Sequence, residues 1–432
     1  MQTANAITTP LLPQGPVTLT VDGVLGPLIW VFFAAYLVSF LLTPVMRRVA
    51  VHFGVVDRPD GLRKMHREPV AYLGGVAVFC GWFVGITVTQ LIGWHLGPYW
   101  SPLFGPHIPI PLNLAIAAIL VVGLGLMDDL YGIAPRWKIA GQVLAAVTLL
   151  SAGIGTGLTG PFLNNIDERL PRLIGTQLPT EALAWLIYAT SCVLTTAIIV
   201  FCCNASNLMD GLDGLCGGVT AIIAIGMVAL AVNLAIHPAL GVPGGPARDG
   251  LRVVVALALL GATLGFLPYN FNPASIFMGD SGSLFLGFTC ALMIILLGEV
   301  EARWLLAALV MFSLPVLDTA LAFARRKLAG RPLFSADKQH LHHQLIARGL
   351  SVKQAVLVAY GLAVFFVLCG IAMVYIRTRF AVAFYLVLFG SIVVAAYKMG
   401  MVHERLVKAP RAEMGGTGIT EVPPGEDNTP IG

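Results

Sequence analysis

Three polar clusters, each at the end of an apolar run, hold the residues of this chain that are best suited to chemistry. The pair Asp128-Asp129 closes one apolar run, the segment NASNLMDGLDGL follows another, and Asp280 stands in FMGDSGS before a third. Carboxylate and amide oxygens placed where membrane spans meet water are suited to holding a divalent cation against phosphate oxygens. The sequence therefore suggests metal-assisted phosphate chemistry at a membrane surface.

The second cluster places four polar side chains at steps of three residues, namely Asn204, Asn207, Asp210 and Asp213. On a helix, such steps drift by about −60°, so the four side chains would form a slanting polar stripe. This spacing favours a single ligand-binding surface.

Each cluster also has a plainer structural interpretation. The acidic pair fits a solvated helix end, and the NASNLMDGLDGL segment fits a polar loop of turn-forming residues. Asp280 fits the N-cap of the span that follows it. Capping and metal binding do not exclude each other.

A histidine motif and a basic segment add two further candidates. The motif HLHHQL contains His340, His342 and His343, and the first and last of these share a helical face. A zinc site would need further soft or imidazole ligands at matching spacing, so hydrogen bonding to a diphosphate, proton transfer or a solvated loop are preferred. The segment DRPDGLRKMHREP carries Arg63 and Lys64, which predicts either recruitment of an anionic substrate or attraction to anionic lipid.

The composition identifies an integral membrane protein. Hydrophobic residues make up 57% of the chain and charged residues 11%, whereas soluble domains carry roughly 25% charged residues. The long aliphatic runs indicate helices and not barrel strands. We therefore predict an all-α polytopic membrane helix bundle. Its expected partner is the membrane, and no nucleic acid is expected to bind.

Eleven spans are predicted along the chain. Several are shorter than the ~20 residues of a straight span, so their ends are expected to extend into the polar motifs. They cover 27–43, 74–92, 113–127, 138–153, 182–203, 217–235, 252–267, 284–298, 303–321, 355–375 and 380–397.

The distribution of Lys and Arg predicts the orientation. If the loop after the first span is cytoplasmic, nineteen of the 26 basic residues lie on that side and seven on the other. All three acidic clusters, the basic segment and the histidine motif then share the cytoplasmic face. We predict a polar N-terminal segment outside (1–26), a transmembrane domain (27–400) and a disordered cytoplasmic tail (401–432).

Taken in order, DDLYGI, NASNLMDGLDGL, FMGDSGS and HLHHQL resemble the polyprenyl-phosphate N-acetylhexosamine-1-phosphate transferases, glycosyltransferase family 4. The stretches DKQHLHHQLIARGLS and PDGLRKMHREP are similar to the bacterial branch that uses undecaprenyl phosphate and UDP-GlcNAc. The peptidoglycan branch usually has a Lys soon after its acidic pair, and here DDLYGI continues without one. Tyr72 stands before Leu73-Gly74-Gly75, where the resembled branch often has Arg.

The resemblance implies an activity and a set of roles. The reaction would be UDP-GlcNAc plus polyprenyl phosphate giving polyprenyl-diphospho-GlcNAc and UMP, in the bacterial inner membrane. The cofactor would be Mg²⁺, with Mn²⁺ as a substitute, and a homodimer is left open. The implied roles are metal ligation by Asn207 and Asp280, catalysis by Asp128, Asp129 and His340, and substrate binding by Arg63, Lys64, Asn204, Asp210, Asp213, His342 and His343.

Three rival functions remain from the sequence. The first is a phospho-MurNAc-pentapeptide transferase of the same family. The second is an ion-coupled transporter, which would place ionisable groups near the bilayer midplane; Asp318, inside a predicted span, is the exception that fits it. The third is a non-catalytic assembly scaffold, which leaves the acid–amide stripe unexplained.

Overall fold

The computed structural model describes residues 20–57, 69–96, 108, 110–167, 179–237, 245–328, 330 and 340–398. These residues form fourteen helices and one short two-stranded sheet. The helices are α1 (Val21–His52), α2 (Gly74–Leu96), α3 (Leu112–Tyr131), α4 (Pro135–Ser151), α5 (Gly160–Asp167), α6 (Thr180–Met209), α7 (Leu215–Ile236), α8 (Gly245–Asn270), α9 (Gly279–Gly298), α10 (Ala302–Met311), α11 (Ser313–Leu328), α12 (Leu341–Ala347), α13 (Val352–Met373) and α14 (Thr378–Lys398). Strands β1 (Val56–Asp57) and β2 (Val70–Ala71) pair antiparallel.

The predicted all-α polytopic membrane bundle is confirmed, with a lower count of spans. Within the described ranges, nine helices are long and apolar enough to cross a membrane, and the pair α10–α11, bent by 74°, makes a tenth. The remaining predicted span, 138–153, is the 17-residue helix α4, which is shorter than the ~20 residues of a straight span.

The shorter predicted spans do extend into the polar motifs. Helix α3 continues to Tyr131 and so includes the acidic pair, and α6 continues to Met209. Helix α9 begins at Gly279, five residues before the predicted start of its span. The candidate site is therefore built largely on helix ends, which are stiffer than loops.

Helix α9 is the central element, and its membrane-spanning window is fully buried. Small residues let its neighbours approach closely, because a Cβ at Gly125 of α3 would lie 2.4 Å from the Ser281 Cα and one at Gly287 would lie 2.3 Å from the Cys202 carbonyl oxygen of α6. Helices in membranes commonly pack through such small residues, since burial of apolar surface alone gives little driving force in lipid. This packing brings the ends of α3 and α6 to the start of α9.

Backbone hydrogen bonds next to the sheet join the start of α2 to the start of α9. The Phe277 amide donates to the Ala71 carbonyl at 2.8 Å, and the Gly74 and Gly75 amides donate to the carbonyls of Phe277 and Met278 at 3.0 and 2.8 Å. The segment before α2 is thereby held against the loop that carries Asp280. We call the end of the bundle where these elements meet the site end.

The outer helices present apolar side chains to their surroundings. Only 6% of the spanning window of α14 is buried, and Trp185 and Val193 of α6 are more than 70% exposed. In water, such faces would aggregate, whereas in a bilayer they meet lipid tails. The chain is therefore an integral membrane protein.

Candidate active site

Asp280 connects three helices at the site end. Its Oδ1 accepts a hydrogen bond from Asn207 Nδ2 of α6 at 2.8 Å, and its Oδ2 accepts one from Lys138 Nζ of α4 at 2.6 Å. Asn207 Nδ2 also donates to Ser283 Oγ at 3.0 Å. The predicted partners Asn207 and Asp280, 73 residues apart in the chain, are therefore in direct contact.

Lys138 is the site residue that the sequence analysis missed. Its Nζ lies 2.5 Å from Asp128 Oδ2 and 2.6 Å from Asp280 Oδ2, so it bridges two of the three acidic clusters. The sequence shows no Lys immediately after the acidic pair, but α4 begins at Pro135 and turns Lys138 back towards that pair. In the sequence, Lys138 could have been recognised as a basic residue in the first turn of the helix that follows the turn at Gly132.

Asp128 also closes the turn between α3 and α4. Its Oδ1 accepts the Ile133 amide at 2.9 Å, and the helix ends at Gly132 in a left-handed conformation that glycine adopts readily. The side chain is 15% exposed. One oxygen thus fixes the turn, while the other contacts the Lys138 ammonium.

Asp129 caps the N-terminus of α9 from another helix. Its two oxygens accept the amides of Asp280 and Ser281 at 2.7 and 3.0 Å. Gly279 makes this contact possible, since its φ is +71° and a Cβ there would lie 2.6 Å from Asp129 Oδ2. The expectation that Asp280 caps α9 is wrong, because Met278 occupies the cap position and the capping carboxylate comes from α3. The predicted catalytic role of Asp129 stays a prediction.

The predicted polar stripe is split by the end of α6 at Met209. Asn204 Nδ2 donates to the Gln142 side chain of α4 at 2.8 Å and to the Val200 carbonyl at 2.7 Å. Asn204 therefore joins α6 to α4 about one turn before Asn207. Its predicted contact with substrate stays a prediction.

Asp213 connects the loop after α6 to the loop before α9. Its Oδ2 accepts a hydrogen bond from Asn272 Nδ2 at 2.8 Å and one from the Ala274 amide at 3.0 Å. Asn270 adds a second link, since it accepts the Gly214 amide and donates to the Ile276 carbonyl, both at 3.1 Å. The two loops that carry the acidic clusters are therefore held together as one unit.

Asp210 lies between the acidic cluster and a large cavity. Burial, together with the negative charges of Asp280, Asp129 and Asp213, raises the pKa of Asp210 to about 8. Three carboxylates therefore disfavour a fourth negative charge at this place. A positively charged ligand would relieve that repulsion.

The cavity has a volume of about 650 Å³ and opens at the site end. Its wall combines charged residues with an aromatic pair, in which the rings of Tyr72 and Phe277 meet edge to face with centroids 5.7 Å apart. Burial and nearby carboxylates, of which Asp57 is the first, raise the pKa of the Tyr72 hydroxyl. The residues of the wall include Arg47, Asp57, Tyr72, Asp210, Phe277 and His343.

The histidine motif lies against the loop after α6. A Cβ at Gly211 would stand 2.3 Å from His342 Nε2, so only glycine leaves room for this ring. Burial and the neighbouring imidazole of His343 lower the pKa of His342 to about 3, so His342 is neutral near pH 7. The ring centroids of His342 and His343 are 4.3 Å apart, and His343 lines the cavity. His342 and His343 therefore lie beside the loop that carries Asp210 and Asp213.

His340 is held by a buried acid on α11. Its Nδ1 lies 2.9 Å from Asp318 Oδ2, and the Leu341 amide donates to Asp318 Oδ1 at 2.7 Å. The position of Asp318 is thus explained by the histidine motif. Two further predicted residues, Arg63 and Lys64, lie outside the described residues, and their roles stay predictions.

Metal ligation at this site would depend on few protein groups. In the part of the chain that the structure describes, no three His, Cys, Asp or Glu side chains are grouped so as to hold a metal ion. Asn207 and Asp280 each carry a side-chain oxygen, and they contact each other from two different helices. That set suits a cation such as Mg²⁺, which keeps several waters and needs only one or two protein oxygens beside substrate phosphates.

Comparison with known proteins places these residues in a family context. Residues 111–298, which run from the start of α3 to the end of α9, match the model of glycosyl transferase family 4. The chain is 31% identical over 379 residues to a probable undecaprenyl-phosphate N-acetylglucosaminyl 1-phosphate transferase of Bacillus subtilis, covering 87% of this chain and 92% of that protein.

Two further relatives show the breadth of the similarity. A decaprenyl-phosphate N-acetylglucosaminephosphotransferase of Mycobacterium tuberculosis is 33% identical over 342 residues, covering 76% of this chain and 77% of that protein. A phospho-N-acetylmuramoyl-pentapeptide-transferase of Moorella thermoacetica is 30% identical over 350 residues, covering 78% and 95%. Both branches weighed in the sequence analysis are thus represented.

Proposed function

The chain belongs to glycosyl transferase family 4, and we propose that it transfers GlcNAc-1-phosphate from UDP-GlcNAc to polyprenyl phosphate with release of UMP. The observation that carries the proposal is the joining of Asp128, Asn207 and Asp280 around Lys138 at the end of the bundle. The relatives from Bacillus subtilis and Mycobacterium tuberculosis, whose names include N-acetylglucosamine and a polyprenyl phosphate, support the transferred sugar and the lipid class.

The cavity suits the nucleotide sugar. Its volume of about 650 Å³ falls in the ~300–1,000 Å³ range of small-molecule sites. The Tyr72–Phe277 pair offers flat apolar surface for a base, and Arg47 and His343 offer polar contacts for phosphate and sugar groups. Gly279 and Asp210 line the cavity next to Asp280. The diphosphate of a bound donor would therefore lie close to the acidic cluster.

Mg²⁺ would be held by Asn207 and Asp280, and when bound it would neutralise the diphosphate and make UMP a better leaving group. Lys138 supplies a positive charge between Asp128 and Asp280, and this ammonium would also attract phosphate oxygen. Asp129 orients Asp280 by fixing the first turn of α9. Asp128 would orient the lipid phosphate or take its remaining proton.

The lipid substrate fits the membrane setting. The polyprenyl tail would stay in the bilayer against the apolar outer faces of the helices, while its phosphate reaches the site end, where α3, α6 and α9 meet. An ion-coupled transporter fits less well, because Asp128, Asn207 and Asp280 lie at helix ends. Asp318, the acid that the sequence places inside a span, pairs with His340 at the same end.

Purified protein in detergent with undecaprenyl phosphate and a panel of UDP-sugars tests the proposal. We expect release of UMP with UDP-GlcNAc, and loss of that release in EDTA with recovery on adding Mg²⁺. The pentapeptide-bearing UDP-MurNAc is the second candidate donor, favoured by the relative from Moorella thermoacetica. Preferred turnover of that donor would assign the protein to the peptidoglycan branch. Full activity in EDTA would show that the reaction does not depend on a metal ion.

The orientation of the protein in the membrane is a separate proposal. It is based on the predicted distribution of Lys and Arg, with nineteen on the cytoplasmic side and seven on the outer side. We expect reporters fused after residue 403 and within the histidine-motif loop to lie in the cytoplasm. An external signal from the second fusion would place the site on the outer face, away from cytoplasmic UDP-sugars.

A further inference from the structure

We propose that Asp318 is the positioning residue of the histidine motif, acting on the transfer reaction through His340. The inference rests on the proposed function, in which His343 of the histidine motif offers a polar contact to the donor. It extends that function to a residue on α11, an element outside the three acidic clusters.

The geometry of the Asp318 contacts is specific. One carboxylate oxygen accepts from His340 Nδ1 at 2.9 Å and the other from the Leu341 amide at 2.7 Å. Both side chains are 7% exposed. A buried carboxylate needs compensating donors, and here the donors are an imidazole and the backbone that follows it. The pairing therefore fixes both the ring and the start of α12.

The first consequence concerns the tautomer of His340. A carboxylate only accepts hydrogen bonds, so His340 carries its proton on Nδ1 in the pair. Its Nε2 is then the atom left for exchange with a ligand, as in other sites where a carboxylate orients a functional imidazole. Asp318 thus determines which nitrogen of His340 carries the proton and which can accept a hydrogen bond.

The second consequence concerns the other two histidines. The rings of His340 and His342 are nearly parallel, with an interplanar angle of 4° and centroids 5.7 Å apart, and His343 follows with its ring in the cavity wall. His342 cannot shift towards the loop after α6, because it already fills the space above Gly211. A displaced His340 would therefore move the whole motif relative to the cavity.

Other buried acids in the described structure serve a different purpose. Asp249, at the start of α8 and at the far end of the bundle, pairs with Arg252 Nη1 at 2.7 Å and is 5% exposed. Its burial is similar to that of Asp318, but it lies about 30 Å along α8 from Asn270 at the site end, given a rise of ~1.5 Å per residue. Asp249→Asn is therefore a matched control for loss of a buried acid.

The main experiment is a double-mutant cycle on UMP release. We expect Asp318→Asn to lower kcat/KM by ~10–10²-fold and His340→Gln to lower it at least as much. The double variant should be no worse than His340→Gln alone, because Asp318 acts through that ring. Asp249→Asn should keep kcat/KM within about twofold while changing thermal stability by a similar amount as Asp318→Asn.

Three results would overturn the proposal: multiplicative losses in the double variant, an Asp318→Asn enzyme within twofold of the wild type, or an equal loss of kcat/KM in Asp249→Asn. A measurement on the wild type covers the case in which Asp318→Asn does not fold. With ¹⁵N-labelled histidine rings, comparison with His340→Gln assigns the His340 signal among nine histidines. We expect a proton on its Nδ1, and an unprotonated Nδ1 would refute the pairing.

These readouts separate the proposal from the function on which it rests. If the wild type releases no UMP from UDP-GlcNAc, the donor is wrong, and the cycle is run with the UDP-sugar that is turned over. The ring tautomer reports on Asp318 and His340 whatever the donor.

Discussion

The two ends of α9 carry buried acids with opposite surroundings. At the far end, Glu299 pairs with Arg248 and accepts the Gly155 amide at 2.8 Å, and Asp249 pairs with Arg252 beside it. Each acid there has an arginine of its own. At the site end, Asp128 and Asp280 share the single ammonium of Lys138.

This difference separates stability from function. Paired charges at the far end are compensated within the protein, and they fasten the loop after α4 to α8 and α9. At the site end, the acids outnumber the lysine that contacts them, so the cluster has negative charge to offer to a cation. Helix α9 is buried along its length. Its far end lies beside acids that are neutralised by arginines, and its site end lies beside acids that are only partly neutralised.

Asp280→Asn should have the largest effect on turnover. The substitution keeps the shape of the side chain but removes a hard anionic ligand and the partner of Lys138, and we expect kcat to fall by at least ~10⁴-fold. UMP release and Mg²⁺ titration measure it, with thermal unfolding as the control for folding. Retained Mg²⁺-stimulated turnover would remove Asp280 from the metal site.

Asp128→Asn should rank second. If Asp128 takes the proton of the lipid phosphate or orients it, kcat should drop by ~10²–10⁴-fold with little change in UDP-GlcNAc binding. Incubation of the wild type with UDP-GlcNAc alone separates this role from covalent catalysis. One UMP per enzyme released without lipid would indicate an aspartyl-phosphosugar intermediate, and then Asp128→Asn should abolish that burst.

Gly211→Ala should produce a smaller loss. The added Cβ would stand 2.3 Å from His342 Nε2, so the ring must shift, and we expect kcat/KM to fall by about tenfold. Gly361→Ala is the control, since a Cβ there meets nothing within 4 Å. Equal kinetics for the two variants would show that the position of His342 does not matter for transfer.

Glu299→Gln should have the smallest effect on turnover. We expect the free energy of unfolding to fall by about 1–3 kcal/mol, because Arg248 loses its charge partner, while kcat stays within about twofold. Denaturation of the detergent-solubilised protein and the UMP assay measure the two quantities. A large loss of kcat without loss of stability would mean that the far end also serves the reaction.

Much of the fold and the core of the site follow from local sequence. The apolar runs define the spans because a bilayer requires helices of about 20 residues, and positions of the acidic motifs relative to those spans place them at helix ends. The unequal distribution of Lys and Arg, nineteen on one side and seven on the other, predicts that the motifs share one face of the membrane. The family pattern assigned Asn207 and Asp280 to one metal site, which stays a prediction, and the structure places the two side chains in contact.

The sequence alone thus determined the membrane class, the approximate positions of most spans and the ordered motifs, since these depend on neighbours within one helix. Tertiary structure alone decided which residues share a contact. Lys138 meets Asp280 across 142 positions, Asp129 caps a helix 151 positions away, and Asp318 orients His340. Such pairs depend on how closely α3, α4 and α6 pack on α9, and that packing is set by small residues such as Gly125 and Gly279, whose partners no local pattern reveals.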